Sequence, residues 1–248
     1  MTKPLANRIA LVTGASRGIG YATAVALARR GAHVVAVART QGGLEELDDE
    51  IRKEGGSATL VPLSLADTDG IARLGAALHE RGGKLDILVG NAGVPGPSSP
   101  LGHIELKQWN DAFAINVTAN FQLIRCMEPL LKRSDAGRAV FVTSAAARWA
   151  NAYFGPYAAS KAALETLVRA WAHETATTPL RVNLFDPGPT RTRMHATVFP
   201  GIDPDTLEPP EKVAEFIVPM CSPEWTETGK LYDYMSRALL SFRAPVQA

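Results

Sequence analysis

Cysteine is scarce in this chain, and long apolar runs are missing. Only Cys126 and Cys221 occur among 248 residues, at no spacing that suits a metal site, so we expect neither a disulfide framework nor a metal centre. This favours a reduced, cytoplasmic protein. The four apolar residues Ile9 to Val12 are too few for a signal-peptide core, and no run approaches membrane-spanning length.

An excess of charge of either sign is also absent. The 26 Lys and Arg residues against 25 Asp and Glu residues leave a net charge of +1, which gives no reason to expect nucleic acid or a membrane surface as a partner. Hydrophobic residues make up 46% of the chain, enough for a sizeable core. No linker or low-complexity stretch divides the sequence, and we therefore expect one domain over residues 1–248.

Short apolar runs alternate with segments of helical periodicity. Such runs predict strands at 9–13, 33–37, 58–63, 85–89, 139–143, 180–186 and 231–235, and the periodic segments predict helices at 19–30, 43–54, 67–81, 106–132 and 157–176. Buried strands separated by helices are typical of an α/β fold with a doubly wound parallel sheet. The segment 187–210 contains six prolines, and we interpret it as a substrate loop at the carboxyl edge of the sheet.

Glycines lie at the turn between the first strand and the first helix. Gly14, Gly18 and Gly20 let the backbone turn tightly, and the free amides and dipole of the helix then favour a pyrophosphate. Asn91-Ala92-Gly93 follows the fourth strand, where small residues would let the backbone pass close to the adenosine part of a dinucleotide. A simple turn is the alternative interpretation of that second motif.

The choice between NADP and NAD depends on charge after the second strand. An NAD site usually has a carboxylate there, but no Asp or Glu precedes Glu45, and the strand is followed by Arg39. A guanidinium binds the extra phosphate of NADP, which a carboxylate would repel. We therefore expect Arg39, with Arg17 of the glycine loop, to favour NADP(H) over NAD(H). The alternative is that both are solvated surface arginines.

Tyr157 and Lys161 lie one helical turn apart, behind a Gly-Pro lead-in, and Ser144 follows the fifth strand. Free tyrosine has a pKa of about 10, so acid–base work at neutral pH needs a decrease of about three units. One ammonium about 4 Å away, at an effective dielectric constant of about 20, would supply about that much. Ser144 would hydrogen-bond the substrate oxygen, and Asn116 in the long helix could kink it and hold a proton-relaying water. On a solvated helix the same Tyr–Lys spacing would have no catalytic meaning.

These motifs together resemble the short-chain dehydrogenase/reductase family, in order and spacing, from about residue 5 to residue 192. The resemblance implies a Rossmann-type domain of about seven strands, an NAD(P)-dependent carbonyl/alcohol reaction and a homodimer or homotetramer built on the two long helices. It implies Ser144, Tyr157, Lys161 and Asn116 as catalytic residues. The predicted cofactor-binding residues are Gly14, Ser16, Arg17, Ile19, Gly20, Arg39, Ser64, Leu65, Asn91, Ala92, Gly93, Tyr157, Lys161, Pro187, Gly188, Thr190 and Thr192.

The chain departs from the family pattern at two motifs and in its C-terminal part, where Gly229-Lys-Leu-Tyr-Asp-Tyr-Met235 replaces the family's common Asp-Gly-Gly ending. Ser64 stands where an aspartate usually contacts the adenine, and Gly90 precedes Asn91 where a second asparagine is usual. We expect an NADP(H)-dependent oxidoreductase that acts on a small ketone or secondary alcohol. The alternatives are a non-catalytic dinucleotide-binding regulatory or scaffold protein and an NAD-dependent dehydrogenase or epimerase. Candidate pocket-lining residues are Arg148, Trp149, Tyr153, Phe154, Met194 and Phe199.

Overall fold

One sheet of eight strands organises the protein, whose computed structural model describes residues 3–242. The strands are β1 (Ile9–Thr13), β2 (His33–Ala38), β3 (Ser57–Pro62), β4 (Ile87–Gly90), β5 (Arg138–Val142), β6 (Arg181–Asp186), β7 (Lys230–Asp233) and β8 (Ala238–Ser241). Their order is β3-β2-β1-β4-β5-β6-β7-β8, and only β8 runs antiparallel to its neighbour. The predicted α/β fold with a doubly wound parallel sheet is confirmed.

Nine α-helices accompany the sheet within the described residues. They are α1 (Gly18–Arg29), α2 (Gln41–Lys53), α3 (Thr68–Gly82), α4 (Leu106–Phe113), α5 (Ala119–Leu131), α6 (Ala146–Trp149), α7 (Gly155–Glu174), α8 (Arg193–Val198) and α9 (Pro210–Met220). A π-helical turn, Ala114–Thr118, joins α4 to α5, and 3-10 turns lie at Leu101–His103 and Pro204–Thr206.

The core has two apolar layers, one on each face of the sheet. Alternate residues of a strand point to opposite faces, so Val12 packs in the layer of α1, α2 and α9, whereas Leu11 packs in the layer of α3, α5 and α7. All three central residues of β1, Ala10 to Val12, are fully buried. This two-sided burial explains why the strands are continuous apolar runs rather than alternating patterns.

The strand order reverses between β1 and β4. In open parallel sheets a crevice forms at such a switch point, beyond the carboxyl ends of the strands. The turns after β1, β4, β5 and β6 all open at this edge, because these four strands are parallel. The sheet therefore brings together the glycine loop, the turn that follows Gly90, Ser144 and Gly188.

Some element predictions were wrong. The expected seven strands are eight, since β8 follows a turn at Arg237 (φ +54°) that carries no glycine signal. The single predicted helix 106–132 is divided by the π-helical turn. The segment 187–210 is not all loop, because it contains α8, and α9 begins at Pro210. Proline is well tolerated in the first turn of a helix, where its missing N–H would have no partner.

No helix among residues 3–242 combines the length and the apolar character that crossing a bilayer requires.

Candidate active site

The glycine loop ends in an uncapped helix. Gly14 and Gly18 have φ of +66° and +59°, a conformation that other residues adopt only with strain. Helix α1 begins at Gly18, its N-cap residue Arg17 makes no side-chain capping bond, and its first turn contains no acidic residue. The first amides of α1 and its positive dipole end are therefore available to an anion.

A hydroxyl and an amide fasten this loop to the turn after β4. The Thr13 hydroxyl accepts hydrogen bonds from the Asn91 and Ala92 amides at 3.0 and 3.1 Å. The Asn91 side chain donates to the Thr13 carbonyl at 2.9 Å. A Cβ at Gly20 would collide with that Asn91 side chain. Asn91 thus holds the glycine loop in place through its side chain. The predicted contact with the adenosine did not include this structural role.

The loop after β6 lies over the glycine loop. A Cβ at Gly18 would lie 3.3 Å from Thr192 Cγ2, and the Thr192 hydroxyl caps α8 by accepting from the His195 amide at 3.2 Å. The Thr190 hydroxyl donates to the Pro187 and Gly188 carbonyls at 3.3 Å. Gly188 (φ +61°) packs on Met235, since an added Cβ would lie 2.7 Å from Met235 Cγ.

The end of β2 is free of carboxylates. Arg39 directly follows the strand and is exposed, as is Arg17, and neither forms an ion pair with any residue in the range 3–242. The Leu63 amide donates to the Ala38 carbonyl at 2.9 Å, which brings the following residues Ser64 and Leu65 beside this edge. Leu65 is buried, whereas Ser64 is only partly buried.

Helix α7 brings the predicted proton-transfer residues to the end of β5. The Lys161 ammonium is buried and donates to the Val142 carbonyl at 2.8 Å. It lies 5.9 Å from the centroid of the Tyr157 ring. Ser144, two residues after Val142, is close enough to Tyr157 that its hydroxyl lowers the pKa of the phenol. The structure therefore brings Ser144, Tyr157 and Lys161 together.

Burial dominates the ionisation of both residues. It raises the pKa of Tyr157 to about 12, and the negative charge of Asp186 adds to this increase, against the smaller lowering by Ser144. Burial also lowers the pKa of Lys161 to about 8, against the carboxylates of Asp186 and Glu165. The predicted decrease in the Tyr157 pKa is thus wrong for the protein by itself. Desolvation raises the free energy of the phenolate form of Tyr157, and the Lys161 ammonium donates a hydrogen bond to the Val142 carbonyl rather than to the phenol.

Asn116 lies in the π-helical turn and is fully buried. Its Oδ1 accepts from the Val94 amide, and its Nδ2 donates to the Val94 carbonyl and to Ser160 Oγ, each at 2.9 Å. A Cβ at Gly93 would lie 3.2 Å from Asn116 Oδ1 and 3.4 Å from Lys161 Nζ. The structure thus brings Asn116, Gly93 and Lys161 together, and the helix is distorted at Asn116, which was one of the possibilities for this residue.

The six candidate pocket residues have three kinds of surroundings. Phe154 stacks on Phe199 with ring centroids 5.6 Å apart, which ties α8 to the start of α7, while Trp149, Tyr153 and Met194 are exposed. Arg148, the remaining candidate, pairs with Glu165 through Nη1 and with Asp186 through Nη2.

Comparison with known proteins identifies the family. A model of the short chain dehydrogenases matches residues 8–203. The chain belongs to the short-chain dehydrogenase/reductase family. This confirms the resemblance that the motifs suggested.

Relatives of similar length share the whole architecture. The chain is 37% identical over 212 residues to YciK, an uncharacterized oxidoreductase of Escherichia coli K12, a match that covers 84% of each chain. A short-chain dehydrogenase of Shigella flexneri solved with NADP is 35% identical, with a TM-score of 0.89 over 94% of this chain and 99% of that one. One of Escherichia coli CFT073 solved with NADPH is 34% identical, with a TM-score of 0.87 over 94% and 98%.

Four residues of this short-chain dehydrogenase that support the site were missed by sequence reasoning. Thr13 could have been found as a hydroxyl residue at the end of an apolar strand. Glu165 could have been found as a carboxylate one helical turn after Lys161. Asp186 ends β6 just before the Pro-Gly turn, where a buried carboxylate is unusual enough to note. Met235 carries no signal, because only the fold brings it to Gly188.

The departure at Gly90 has a steric reason in this short-chain dehydrogenase. A Cβ there would collide with the ring of buried Phe141, so the asparagine that is usual in the family would not fit.

No group of three or more His, Cys, Asp or Glu side chains that could hold a metal ion occurs in the part of the chain that the structure describes.

Replacing Thr13 by valine should weaken both the fold and nucleotide binding. The isosteric change removes the acceptor of the Asn91 and Ala92 amides, which we expect to cost about 1–3 kcal/mol in the free energy of unfolding. The loosened glycine loop should raise the Kd for NADPH several-fold. Urea unfolding and NADPH fluorescence titration measure the two effects.

Thr23→Val is the matched control. Thr23 is equally buried, but its hydroxyl meets no hydrogen-bond partner within residues 3–242, so stability should not decrease by more than about 0.5 kcal/mol. Equal losses in the two variants would contradict the role of Thr13.

Proposed function

We propose that this protein is an NADP(H)-dependent oxidoreductase that interconverts a small ketone and a secondary alcohol. The observation that carries the proposal is the convergence of Ser144, Tyr157 and Lys161 at the same sheet edge as the uncapped start of α1. These three side chains would transfer the proton beside an anion held by the first amides of α1, at the topological switch point where α/β sheets bind ligands.

The residues present fit a dinucleotide. Gly14, Gly18 and Gly20 leave the backbone of the first loop bare, and the amides at the start of α1 would hold the pyrophosphate. Lys161 would donate to the ribose hydroxyls. The rest of the nucleotide site would be lined by Ser16, Ile19, Ser64, Leu65, Asn91, Ala92, Gly93, Pro187, Gly188, Thr190 and Thr192. The nicotinamide, when bound, gives or takes the hydride.

Arg39 and Arg17 support NADP over NAD. Within residues 3–242 neither exposed guanidinium has a carboxylate partner, and the end of β2 carries no acid. Such groups bind a 2′-phosphate well. The relatives from Shigella flexneri and Escherichia coli were solved with NADP and NADPH, which agrees with this preference.

Tyr157 would act on the substrate oxygen. With a pKa of about 12 in the protein by itself, it keeps its proton at neutral pH and can donate it to a carbonyl oxygen that becomes an alcohol. In the reverse direction it must accept the proton, which the Lys161 ammonium would favour by stabilising the phenolate. Ser144 would orient the oxygen and donate a hydrogen bond to the developing alkoxide. Asn116 would hold the Val94 loop and Ser160 around Lys161.

We also propose that the protein acts as a homodimer or homotetramer. The outer faces of α5 and α7 line an apolar groove in which Phe121 is 48% exposed. A second copy of the same face would remove this surface from water.

Tyr157→Phe tests the reaction itself. The change removes the transferable proton and leaves the ring, so turnover of ketones should fall by at least about a hundredfold while the Kd for NADPH stays within a few-fold. A panel of carbonyl substrates followed by NADPH absorbance measures the first, and fluorescence titration the second. Undiminished turnover would contradict the assigned role.

Arg39→Asp tests the choice of cofactor. A carboxylate repels the 2′-phosphate, so the KM for NADPH should rise by about tenfold or more, while that for NADH should change far less. Arg81→Asp makes the same charge change at an exposed position near the end of α3, at the opposite edge of the sheet, and should alter neither KM. Equal changes for both cofactors in the Arg39 variant would remove the argument for NADP.

A further inference from the structure

Three charged side chains form a network directly behind the catalytic residues. Arg148 Nη1 donates to Glu165 Oε1 at 2.7 Å, and its Nη2 pairs with Asp186. The Glu165 and Asp186 side chains are only 7% and 2% exposed, whereas that of Arg148 is 30% exposed. Burying two carboxylates this deeply costs free energy, which ion pairs and hydrogen bonds offset.

The network joins three segments of the site, namely the end of β5, helix α7 and the turn after β6. The hydroxyl of Thr143, the neighbour of Ser144, donates to Glu165 Oε1 at 2.8 Å. Glu165 lies one helical turn after Lys161 on α7. Asp186 ends β6, and its Oδ1 accepts from the Gly188 amide at 3.1 Å.

Two parallel connections thus fix α7 against the end of β5. Lys161 donates to the Val142 carbonyl, and one turn further along α7 Glu165 accepts from Thr143. Arg148 extends the second connection to the end of β6. The separation between Ser144 and Tyr157 therefore depends on side chains that do not themselves reach a substrate.

The network also determines the charge that surrounds Lys161. The carboxylates of Asp186 on β6 and Glu165 on α7 both favour the protonated form of Lys161, against its burial, and Arg148 on α6 partly neutralises them. From the other elements packed on α7, Asn116 of the π-helical turn is neutral, and the charged groups Lys107 and Asp111 of α4 pair with each other at the surface. On its own helix, Tyr157 faces Lys161.

We propose that Arg148, Glu165 and Asp186 are positioning residues that hold Ser144 and Gly188 against the Tyr157–Lys161 helix and keep Lys161 charged. Arg148 balances only part of the negative charge, so the two carboxylates leave a net negative field at the ammonium. The catalytic consequence rests on the proposed function, whereas the effect on Lys161 does not.

The test is a titration of Lys161 in the cofactor-free protein by NMR of ε-13C-labelled lysine, with the signal assigned from a Lys161→Met variant. Asp186→Asn removes one negative charge but keeps an oxygen for the Gly188 amide, so the pKa of Lys161 should decrease from about 8 by about one pH unit. Arg148→Met removes the counter-charge, but the Thr143 hydroxyl and the Gly188 amide still hydrogen-bond the two carboxylates. They should therefore stay ionised at the alkaline pH of this titration, and the pKa of Lys161 should increase. Opposite shifts from the two partners of one ion pair cannot result from general loosening, which would move both in the same direction.

Two further variants keep the test decisive. Glu165→Gln preserves shape and should lower the pKa of Lys161 as Asp186→Asn does, which provides a result if Arg148→Met does not fold. Arg52→Met breaks the ion pair between exposed Arg52 and largely buried Asp48 on α2 and should leave the pKa of Lys161 unchanged. Shifts of the same sign in the Asp186 and Arg148 variants, or no shift in the Asp186 and Glu165 variants, would overturn the proposal.

Kinetics then connect the network to the reaction. With a ketone and NADPH, Arg148→Met should lower kcat by about tenfold or more with KM changed less than about threefold, because the reacting groups are displaced rather than the substrate lost. Arg148→Lys, which restores the charge, should recover part of kcat. A wild-type protein that titrates as described but reduces no carbonyl would contradict the proposed function and leave the network intact. An equal loss of kcat in Arg148→Met and Arg148→Lys would overturn the electrostatic part.

Discussion

The buried ammonium of Lys161 is the constraint on which the site depends. A positive charge inside the protein is costly, and burial lowers the pKa of Lys161. One carbonyl, that of Val142, and two carboxylates offset this cost. Glycine at position 93 leaves the space, since any Cβ there would approach both the ammonium and Asn116. These neighbouring residues together accommodate the positive charge of Lys161.

The environment of Lys161 also makes Tyr157 a phenol that holds its proton. Burial and Asp186 raise the pKa of Tyr157, so Asp186, which helps to keep Lys161 charged, opposes ionisation of the neighbouring tyrosine. A protonated phenol beside a charged ammonium suits donation to a carbonyl oxygen at neutral pH. Accepting a proton from an alcohol requires the phenolate form of Tyr157, which additional positive charge at the site would stabilise. An oxidised nicotinamide ring carries such a charge.

Much of the fold was predictable, because its signals are local. Strands such as β1 and β2 are apolar runs between turns, and their bounds agree with the prediction to within one residue. β8 and α9 were missed for identifiable reasons. β8 has only four residues and is stabilised by pairing with β7. The prolines at the start of α9 suggested a loop, although the first turn of a helix tolerates proline.

The site was predictable as a set of residues but not as an electrostatic environment. Motif spacing placed Ser144, Tyr157 and Lys161 at one edge. Whether an ammonium lowers a phenol pKa, however, depends on burial and on distant carboxylates such as Asp186, which lies 25 residues beyond Lys161 in the sequence. The pairing of Arg148 with Glu165 and Asp186 likewise requires three elements to meet, and no spacing along the chain encodes that.

A crystal structure of the protein with NADPH tests the central claim most directly. The account predicts that the pyrophosphate lies over the first amides of α1, the 2′-phosphate near Arg39, and the nicotinamide ring beside the Tyr157 hydroxyl, with Lys161 donating to the ribose. A dinucleotide bound elsewhere, or a nicotinamide ring remote from Tyr157, would contradict it.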